Sequence, residues 1–449
     1  MKKIVILGAG ESGVGAALLA RAKGFEVFVS DAAELGQPRR EMLLESGIDF
    51  EEGGHSPEKL YAAHMVIKSP GIPFGLPLVQ ALLKRGIPVE DELEFGFTFS
   101  KGKMIAITGT NGKTTTTLLT YHLLKSAGLD VGLAGNVGKS WAGQLVNEDH
   151  DWWVVEVSSF QIEGFRTIKP KIAIILNITP DHLDRYNYKI KEYARTKFRL
   201  LDQMDQKDHF IYFQGSPLVQ QQVENMESSM QVHPVSLQQT ESSDYLSSDK
   251  LNVKAGNHTL QFPIEEIVLK GDHNYINSLC AIKAALLAGA EVEGIRKGLK
   301  TFKNAAHRME LVLEVDGVSY INDSKGTNVD ATAFALQAYS SPMVWIAGGV
   351  DKGNDYEPIK PMVQGRVHTL ICLGKNNQKL KDSFSGVIPE ILETTEVVQA
   401  VAWAQNKSNP GDIVLLSPAC ASFDLFKNYE DRGEQFKAAV LALTENTEG

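Results

Sequence analysis

Short apolar segments alternate with a helical stretch along residues 1–97 of the chain. Apolar runs of this length that end at polar or glycine residues predict strands, and an apolar spacing of three and four residues predicts a helix. The predicted elements are strands at Lys3–Leu7, Glu26–Ser30, Met65–Lys68 and Ile87–Glu90, with a helix at Val14–Lys23. The alternation favours an α/β domain of Rossmann-like build.

A second run of strand and helix signals fills residues 98–300. An apolar strand runs into a glycine turn near residue 109, and further strands are predicted at Trp152–Val157 and Lys171–Leu176. Residues 214–250 are rich in Gln, Ser and Glu and show little periodicity, so we interpret them as surface loops and edge hairpins outside the core. A helix at Asn277–Ala290 closes this region, which we expect to hold a mostly parallel sheet.

Residues 301–449 repeat one pattern, an apolar strand followed by a polar, glycine-bearing turn. It occurs after the segments Ser319–Ile321, Met343–Ala347, Thr369–Leu373 and Asp412–Leu416. In open parallel sheets, ligands bind beyond the carboxyl ends of the strands, where these turns lie. The prediction is therefore an α/β protein of three domains: 1–97 Rossmann-like, 98–300 P-loop ATPase-like, and 301–449 Rossmann-like.

Composition narrows the class of protein. With 43% hydrophobic and 22% charged residues, the 449-residue chain reads as soluble and globular, and no apolar run approaches the roughly 18 residues of a membrane span. Three cysteines far apart in apolar segments indicate a reducing cytoplasm and disfavour a zinc site. A formal net charge of -10 argues against nucleic acid as a general partner.

The segment Met104-Ile-Ala-Ile-Thr-Gly-Thr-Asn-Gly-Lys-Thr-Thr has the build of a phosphate-binding loop. Backbone N–H groups freed by its glycines can point at phosphate oxygens, with the helix dipole behind them. Its lysine can reach the terminal phosphates and the following hydroxyl can hold Mg²⁺. The predicted nucleotide-binding residues are Gly109, Thr110, Asn111, Gly112, Lys113, Thr114 and Thr115.

The N-terminal glycines resemble a dinucleotide fingerprint. Gly8-Ala-Gly-Glu-Ser12-Gly13-Val-Gly follows a strand and opens a helix, and Asp31 ends the next strand. That pattern indicates binding of a diphosphate and a ribose, and both a nucleotide sugar and NAD contain these two groups. Because a separate ATP loop follows, we favour a nucleotide sugar and keep an NAD enzyme as the alternative. Ser69-Pro70-Gly71 either adds backbone contacts to the same ligand or forms a plain turn.

Two strand ends in the second region carry candidate catalytic groups. Glu156 ends one strand beside the phosphate loop and suits a Mg²⁺ ligand or an organiser of metal-bound water. His182 follows the next strand, where it can bind a metal or orient a substrate carboxylate. Lys197 lies within the helical stretch Lys189–Leu201, and from its sequence position alone it reads as a solvated lysine.

The short loop Gly-Thr-Asn-Gly-Lys-Thr-Thr and the segment Thr-Pro-Asp-His-Leu-Asp-Arg resemble the Mur ligases, the ATP-dependent amide-forming enzymes that build the peptide of bacterial cell wall. The resemblance implies that Lys197 is carbamylated and helps Glu156 and His182 hold two Mg²⁺ ions. It also implies that Asn136 meets the sugar-nucleotide substrate. Gly271-Asp-His-Asn274-Tyr-Ile-Asn277 is similar to the family segment whose side-chain amides reach ATP.

The third region carries the candidate amino-acid site. Arg308 can clamp a transferring phosphoryl group through the planar guanidinium, and Asp323 can meet a nucleotide ribose or metal-bound water. The segment Asp323-Ser-Lys325-Gly-Thr327-Asn-Val-Asp-Ala-Thr resembles the D-glutamate-adding members of the family. By that resemblance, the two carboxylates of D-glutamate are met by the residues Lys325, Thr327, Lys352, Ser422 and the backbone at Tyr429.

The resemblance implies a reaction. ATP phosphorylates the carboxylate of UDP-N-acetylmuramoyl-L-alanine, and the amine of D-glutamate attacks the acyl phosphate to give an amide, ADP and phosphate. We expect a monomeric cytoplasmic enzyme, with closure of the ATP-binding and amino-acid-binding domains bringing the reactants together. The alternatives are an NAD-dependent oxidoreductase, a nucleotide-binding switch protein, and another ligase of this type such as a folylpolyglutamate synthetase.

Overall fold

The computed structural model describes residues 2–181, 183–227, 229–351 and 353–445. Within this part of the chain, three sheets of five, nine and six strands form, flanked by helices. The chain divides into two compact units, Met1–Phe302 and Lys303–Gly449. The first unit contains two of the sheets, and its predicted division at residue 97 stays a prediction.

The first sheet has the strand order β3-β2-β1-β4-β5, and each of its neighbouring pairs is parallel. This is a Rossmann-like order: the first strand lies in the middle of the sheet, the next strands are added on one side of it, and the later strands are added on the other side. The short strand β3 was not predicted from the sequence. The elements are β1 Lys3–Leu7, α1 Glu11–Ala22, β2 Glu26–Ser30, α2 Gln37–Glu45, β3 Asp49–Glu51, α3 Pro57–Tyr61, β4 Met65–Lys68, α4 Pro77–Lys84, β5 Val89–Asp91 and α5 Glu92–Phe99.

The second sheet has the order β14-β13-β12-β11-β10-β9-β6-β8-β7, parallel except at the hairpins that end it. Its central strands are buried on both faces, as near-continuous runs of Val and Ile indicate. The strands are β6 Lys103–Thr108, β7 Val131–Gly135, β8 Trp152–Glu156, β9 Ile172–Ile175, β10 His209–Phe213, β11 Gln231–Ser236, β12 Asp244–Leu246, β13 Lys250–Ala255 and β14 His258–Pro263. The helices are α6 Lys113–Ser126, α7 Trp141–Gln144, α8 Ser159–Ile162, α9 Ile190–Phe198, α10 Pro217–Glu224, α11 Asp272–Leu287 and α12 Val292–Thr301.

The interpretation of residues 214–250 as loops and edge hairpins outside the core is only partly right. Strand β12 does form an antiparallel hairpin with β13 near one edge of the sheet, but the rest of the segment is more regular. This segment contributes helix α10 and strand β11, which pairs in parallel with β10 inside the sheet. Val219 and Val235 are fully buried. The polar composition hid these elements because few of their positions face the core, and pairing with β10 supplies what local periodicity does not.

The third sheet has the order β15-β16-β20-β17-β18-β19, and only the pairing of β15 with β16 is antiparallel among its strands in the described residues. The repeated strand-and-turn pattern therefore aligns its polar turns along one edge, as predicted. The strands are β15 Glu310–Val315, β16 Val318–Asn322, β17 Met343–Ala347, β18 Val367–Leu373, β19 Glu390–Thr394 and β20 Ile413–Leu416. The helices are α13 Val329–Gln337, α14 Lys360–Val363, α15 Gln378–Phe384, α16 Val397–Lys407 and α17 Tyr429–Glu445.

The first two sheets are joined by buried carboxylates at the start of α5. Glu92 accepts hydrogen bonds from the Ser140 hydroxyl and the Ala142 backbone, each at 2.7 Å. Glu94 accepts from the backbone of Arg166 and from the backbone and hydroxyl of Thr167. Because both carboxylates are buried and each is hydrogen-bonded, they tie the first sheet firmly to the second. None of the described helices is long and apolar enough to cross a membrane.

Candidate active site

The phosphate loop has the backbone shape that its glycines predict. Gly109 and Gly112 have positive φ angles of 156° and 84°, and Gly112 caps helix α6. A side chain at Gly112 would place its Cβ only 2.6 Å from Oδ1 of Asn277. Glycine is therefore needed there both for backbone conformation and for close approach, and the structure brings the predicted residue Asn277 to the loop. Asn274 lies next to it, accepting a hydrogen bond from the Asn277 amide at 3.3 Å.

The lysine of the loop folds back over it. Lys113 Nζ donates to the carbonyl oxygens of Gly109 and Thr110 at 2.9 and 2.7 Å. Thr114 and Thr115 are buried in the first turn of α6. A positive charge and the positive end of a helix dipole therefore converge on one loop, an arrangement that favours an anion.

A polar strap behind the loop holds it in place, and sequence reasoning missed it. The backbone N–H groups of Thr110 and Asn111 donate to the backbone and side-chain oxygens of Asn177. The Thr110 hydroxyl bridges to Thr179 and lies 3.3 Å from the Tyr193 hydroxyl. Asn177 follows a buried strand directly, so the strand-end signal that singled out Glu156 could have found it.

Glu156 stands at the end of β8, beside the strand that leads into the phosphate loop. Its carboxylate is 2% exposed, and its Oε1 accepts a hydrogen bond from the Asn136 amide at 3.0 Å. Its Oε2 is buried and has no hydrogen-bond partner among the residues that the structure describes. A buried, unpaired carboxylate oxygen is costly in isolation, and a cation or its bound water would satisfy it.

Lys197 is buried, so the interpretation as a solvated lysine is wrong. Its side chain is 1% exposed, and Nζ donates to the Gly109 carbonyl at 2.9 Å and to the Thr108 hydroxyl at 3.3 Å. Burial holds the pKa of this amine well below its ordinary value, the positive charge of Lys113 lowers it further, and the charges of Asp181 and Glu156 act in the opposite direction. The predicted residue His182 lies outside the described residues.

The N-terminal glycine turn is closed by contacts within the protein. Oδ2 of Asp31 accepts from the Ala9 backbone at 2.5 Å, and the Ser69 hydroxyl donates to the Gly8 carbonyl at 3.2 Å. A Cβ at Gly13 would lie 1.9 Å from that carbonyl oxygen. Ser12 is half-buried in the first turn of α1, and Pro70 and Gly71 follow β4, the neighbour of β1. The predicted residues thus share one edge of the first sheet.

In the second unit, Asp323 lies at the end of β16 and is 5% exposed. It accepts from the Ser417 hydroxyl at 2.8 Å and the Met309 backbone at 3.3 Å. Burial raises the pKa of Asp323 to about 6, against the opposing positive charge of Arg308. Nε of Arg308 is buried and finds no hydrogen-bond partner within the described part of the chain, so this guanidinium retains a donor for an anionic ligand.

The predicted amino-acid-binding residues gather at the same edge of the third sheet. Lys325 Nζ lies 5.3 Å from the centre of the Tyr429 ring, and Tyr429 accepts a hydrogen bond through its carbonyl from Ser324. Thr327 lies in the turn between β16 and α13, and Ser422 is buried in the turn after β20. The predicted residue Lys352 lies outside the described residues.

Arg432 is a buried organiser of this edge that sequence reasoning did not single out. Its guanidinium donates to the Ser324 hydroxyl and carbonyl at 3.0 and 2.8 Å, and to the carbonyl oxygens of Gly348 and Cys420 at 3.3 and 3.2 Å. These acceptors follow three different strands, so one side chain fixes three turns. No local sequence signal marks an arginine in a helix for such a role.

Comparisons with known proteins agree with this architecture. Family models described as the MurD N-terminal domain, the Mur ligase middle domain, and the Mur ligase glutamate ligase domain match residues 3–75, 107–285 and 307–420. UDP-N-acetylmuramoylalanine–D-glutamate ligases from Cytophaga hutchinsonii and Bacteroides fragilis are 46% and 45% identical to this chain. They cover 98% and 99% of it, and 99% and 100% of their own lengths.

Solved structures show the same fold at low identity. The UDP-N-acetylmuramate–alanine ligase of Thermotoga maritima has a TM-score of 0.63 at 19% identity, covering 98% of this chain and 100% of its own. The fold and the phosphate loop define a nucleotide-binding α/β protein with three sheets. The family models and the full-length relatives show that the chain belongs to the Mur ligase family of ATP-dependent ligases. Within that family, its full-length similarity is to the D-glutamate ligases. The predictions of fold class and family are confirmed.

Proposed function

We propose that the chain uses ATP to join D-glutamate to the L-alanyl carboxylate of UDP-N-acetylmuramoyl-L-alanine. Full-length identity of 44–46% to D-glutamate ligases carries this assignment. The orphaned carboxylate oxygen of Glu156 beside a preformed phosphate loop supports the ATP-dependent step. We expect the enzyme to act in the cytoplasm, where its nucleotide substrates are found.

The reaction needs activation because oxide is a poor leaving group from a carboxylate. Transfer of the γ-phosphoryl group of ATP to the L-alanyl carboxylate gives an acyl phosphate and ADP. The amine of D-glutamate attacks the carbonyl carbon, loses a proton, and expels phosphate as the amide forms. In phosphoryl transfer a protein mainly positions groups and neutralises charge, and we assign that task to the loop backbone, Lys113, Thr114 and Arg308.

The residues around Glu156 fit Mg²⁺. An unpaired buried carboxylate oxygen and a threonine hydroxyl at a helix N-terminus are hard oxygen ligands of the kind this ion prefers. We assign Thr114, Glu156, His182 and carbamylated Lys197 to two ions. When bound, Mg²⁺ neutralises the charge of the transferring phosphoryl group. Asn136 orients the Glu156 carboxylate through its 3.0 Å hydrogen bond.

Carbamylation of Lys197 is chemically favoured by its surroundings. Only a neutral amine attacks carbon dioxide, and burial beside the positive charge of Lys113 keeps the pKa of Lys197 low. The adduct exchanges an ammonium for a carboxylate-like oxygen ligand. The carbamate also places a negative charge beside the positive charge of Lys113, an attraction that the neutral amine lacks.

We assign the nucleotide sugar and D-glutamate to different units of the chain. We assign the uridine diphosphate to the first sheet at Ser12, Gly13, Asp31 and the Ser69–Gly71 turn. We assign D-glutamate to the edge of the third sheet, with the residues Lys325, Thr327, Lys352, Ser422 and Tyr429. Asn274, Asn277 and Asp323 are assigned to ATP.

Phosphate release from ATP tests the assignment. With UDP-N-acetylmuramoyl-L-alanine present, release should depend on D-glutamate and not on L-glutamate, L-alanine or diaminopimelate. Release with a different amino acid would keep the ligase mechanism but reject the assignment of Lys325, Thr327 and Ser422. ATP binding without release in any mixture would favour a nucleotide-binding protein instead, and tight NAD binding would revive the oxidoreductase alternative.

A further inference from the structure

Helix α7 lies where helix α1, which follows the N-terminal glycine turn, meets the second sheet. Ser140 is at the centre of that contact. Ser140 caps α7, accepting a hydrogen bond from the Gly143 backbone at 3.1 Å. Its own hydroxyl donates to Oε1 of Glu92 at 2.7 Å, and its backbone N–H lies 3.5 Å from a carboxylate oxygen of Glu11. One residue thus receives contacts from α1, α5 and α7.

Gly15, the last glycine of the N-terminal motif, belongs to this contact. A Cβ at Gly15 would lie 2.0 Å from Oγ of Ser140 and 2.6 Å from its Cβ. The two helices also touch at Gly143, where an added Cβ would lie 3.2 Å from Cα of Gly15. Gly15 is therefore explained by helix packing, whereas Gly8 and Gly13 shape the turn itself.

The segment before Ser140 leads to the catalytic edge of the second sheet. Asn136 donates from its backbone to the Glu156 carbonyl at 2.9 Å and from its amide to the Glu156 carboxylate at 3.0 Å. Gln144, one turn into α7, donates to the carbonyl oxygens of Leu133 and Lys139 at 3.0 and 3.2 Å. The loop 136–139 is therefore held at one end by Glu156 and at the other by the cap of α7.

We propose that the Glu92–Ser140 hydrogen bond fixes the position of Asn136 relative to the nucleotide-sugar site proposed for the first sheet. Through Asn136, it also fixes the position of the Glu156 carboxylate. The proposal rests on the proposed function, because Asn136 matters only if substrate and metal meet there. Glu92 and Ser140 touch no reacting atom and act through the loop. A buried carboxylate with two 2.7 Å hydrogen bonds to one helix start gives the loop a fixed anchor.

Kinetics of three variants and one control variant in the full-length chain test the proposal. Ser140→Ala should lower kcat/KM for UDP-N-acetylmuramoyl-L-alanine about tenfold or more, as removal of a supporting contact behind a metal-binding group does, while the KM for D-glutamate stays unchanged. Glu92→Gln keeps an acceptor oxygen and should retain more activity than Glu92→Ala. Glu94→Gln is the matched control, because Glu94 is equally buried on the same helix but binds Arg166 and Thr167 instead.

Hydrogen exchange provides a readout that does not depend on the reaction. In Ser140→Ala, backbone exchange in residues 134–140 should accelerate, whereas exchange at the phosphate loop should not. Faster exchange in Ser140→Ala with an unchanged kcat/KM would overturn the positioning role. The role would also fail if Ser140→Ala and Glu94→Gln lost kcat/KM equally and in proportion to their loss of Tm. If the wild-type chain shows no D-glutamate-dependent phosphate release, the proposed function has failed, and the exchange data still report on the anchor.

Discussion

The buried guanidinium of Arg432 offers a direct test of how the third sheet shapes its polar edge. Arg432→Met keeps most of the side-chain volume but removes the charge and its donors. The change withdraws hydrogen bonds from the carbonyl oxygens of Ser324, Gly348 and Cys420, which follow β16, β17 and β20. We therefore expect the three turns to loosen together.

The size of the effect follows from two opposing contributions. A hydrogen bond to a charged group contributes about 1.5–3 kcal/mol, so three carbonyl groups account for about 5–9 kcal/mol. Burial lowers the pKa of the guanidinium to about 10, against nearby acidic groups that raise it. At about 1.4 kcal/mol per pKa unit, the buried charge carries a net cost of about 3 kcal/mol. Since methionine removes this cost as well, a net loss of about 2–6 kcal/mol is expected.

Hydrogen exchange of the full-length protein, followed by mass spectrometry, measures this loss where it occurs. Peptides covering β16, β17 and β20 should lose protection, whereas those from β6 and β9 should not. Arg366→Met is the matched control, because Arg366 also donates to carbonyl groups, those of Tyr339 and Met362, but is partly exposed. Equal losses in both variants would refute the reasoning that burial and the joining of three turns make Arg432 special.

Three further changes test other parts of the molecule. Lys113→Ala should slow the phosphoryl-transfer step by about 2–4 kcal/mol of activation free energy in single-turnover assays, and Lys125→Ala, at the exposed end of the same helix, should not. Wild-type protein in carbon-13 bicarbonate should show a carbamate NMR signal that Lys197→Met lacks, and a free amine in the wild type would reject the modification. Burial, followed by the charges of Lys283 and His209, lowers the pKa of His233 to about 4. Between pH 6.5 and 4 the unfolded chain then binds a proton that the folded chain does not, so the free energy of unfolding should fall by about 1–3 kcal/mol as the pH drops through that window. In urea titrations at several pH values, the free energy of unfolding should depend less steeply on pH in His233→Gln than in the wild type. An unchanged pH dependence would contradict the role assigned to His233.

Local signals were sufficient for much of the fold and the phosphate loop. The loop could be predicted because a strand, two glycines and a helix start are encoded within a few residues, and Gly112 takes the left-handed conformation that this requires. Four strands of the third sheet, β16, β17, β18 and β20, were predictable for the same reason, whereas β15 and β19 were not predicted. The polar turns of the predicted strands are adjacent in sequence to the apolar runs that place them.

What the sequence did not reveal depends on contacts between distant residues. Arg432 meets Ser324 across 108 positions, and Ser140 meets Glu92 across 48, so neither pairing leaves a local pattern. Strand β11 was missed because only one of its six residues is buried and its stability comes from pairing with β10. The sequence position of Lys197 alone indicates a solvated residue, since lysine is rarely buried; only the family resemblance marked it as a site residue.

The carboxylates of α5 determine how this enzyme could be recombined with its relatives. A chimera that exchanged residues 1–99 alone would separate Glu92 from Ser140 and Ala142, and Glu94 from Arg166 and Thr167. An N-terminal segment from a relative would leave these buried donors unpaired unless it carried carboxylates at matching positions. The unit that can be exchanged as a whole is therefore the first sheet together with the segments of the second sheet that these side chains bind.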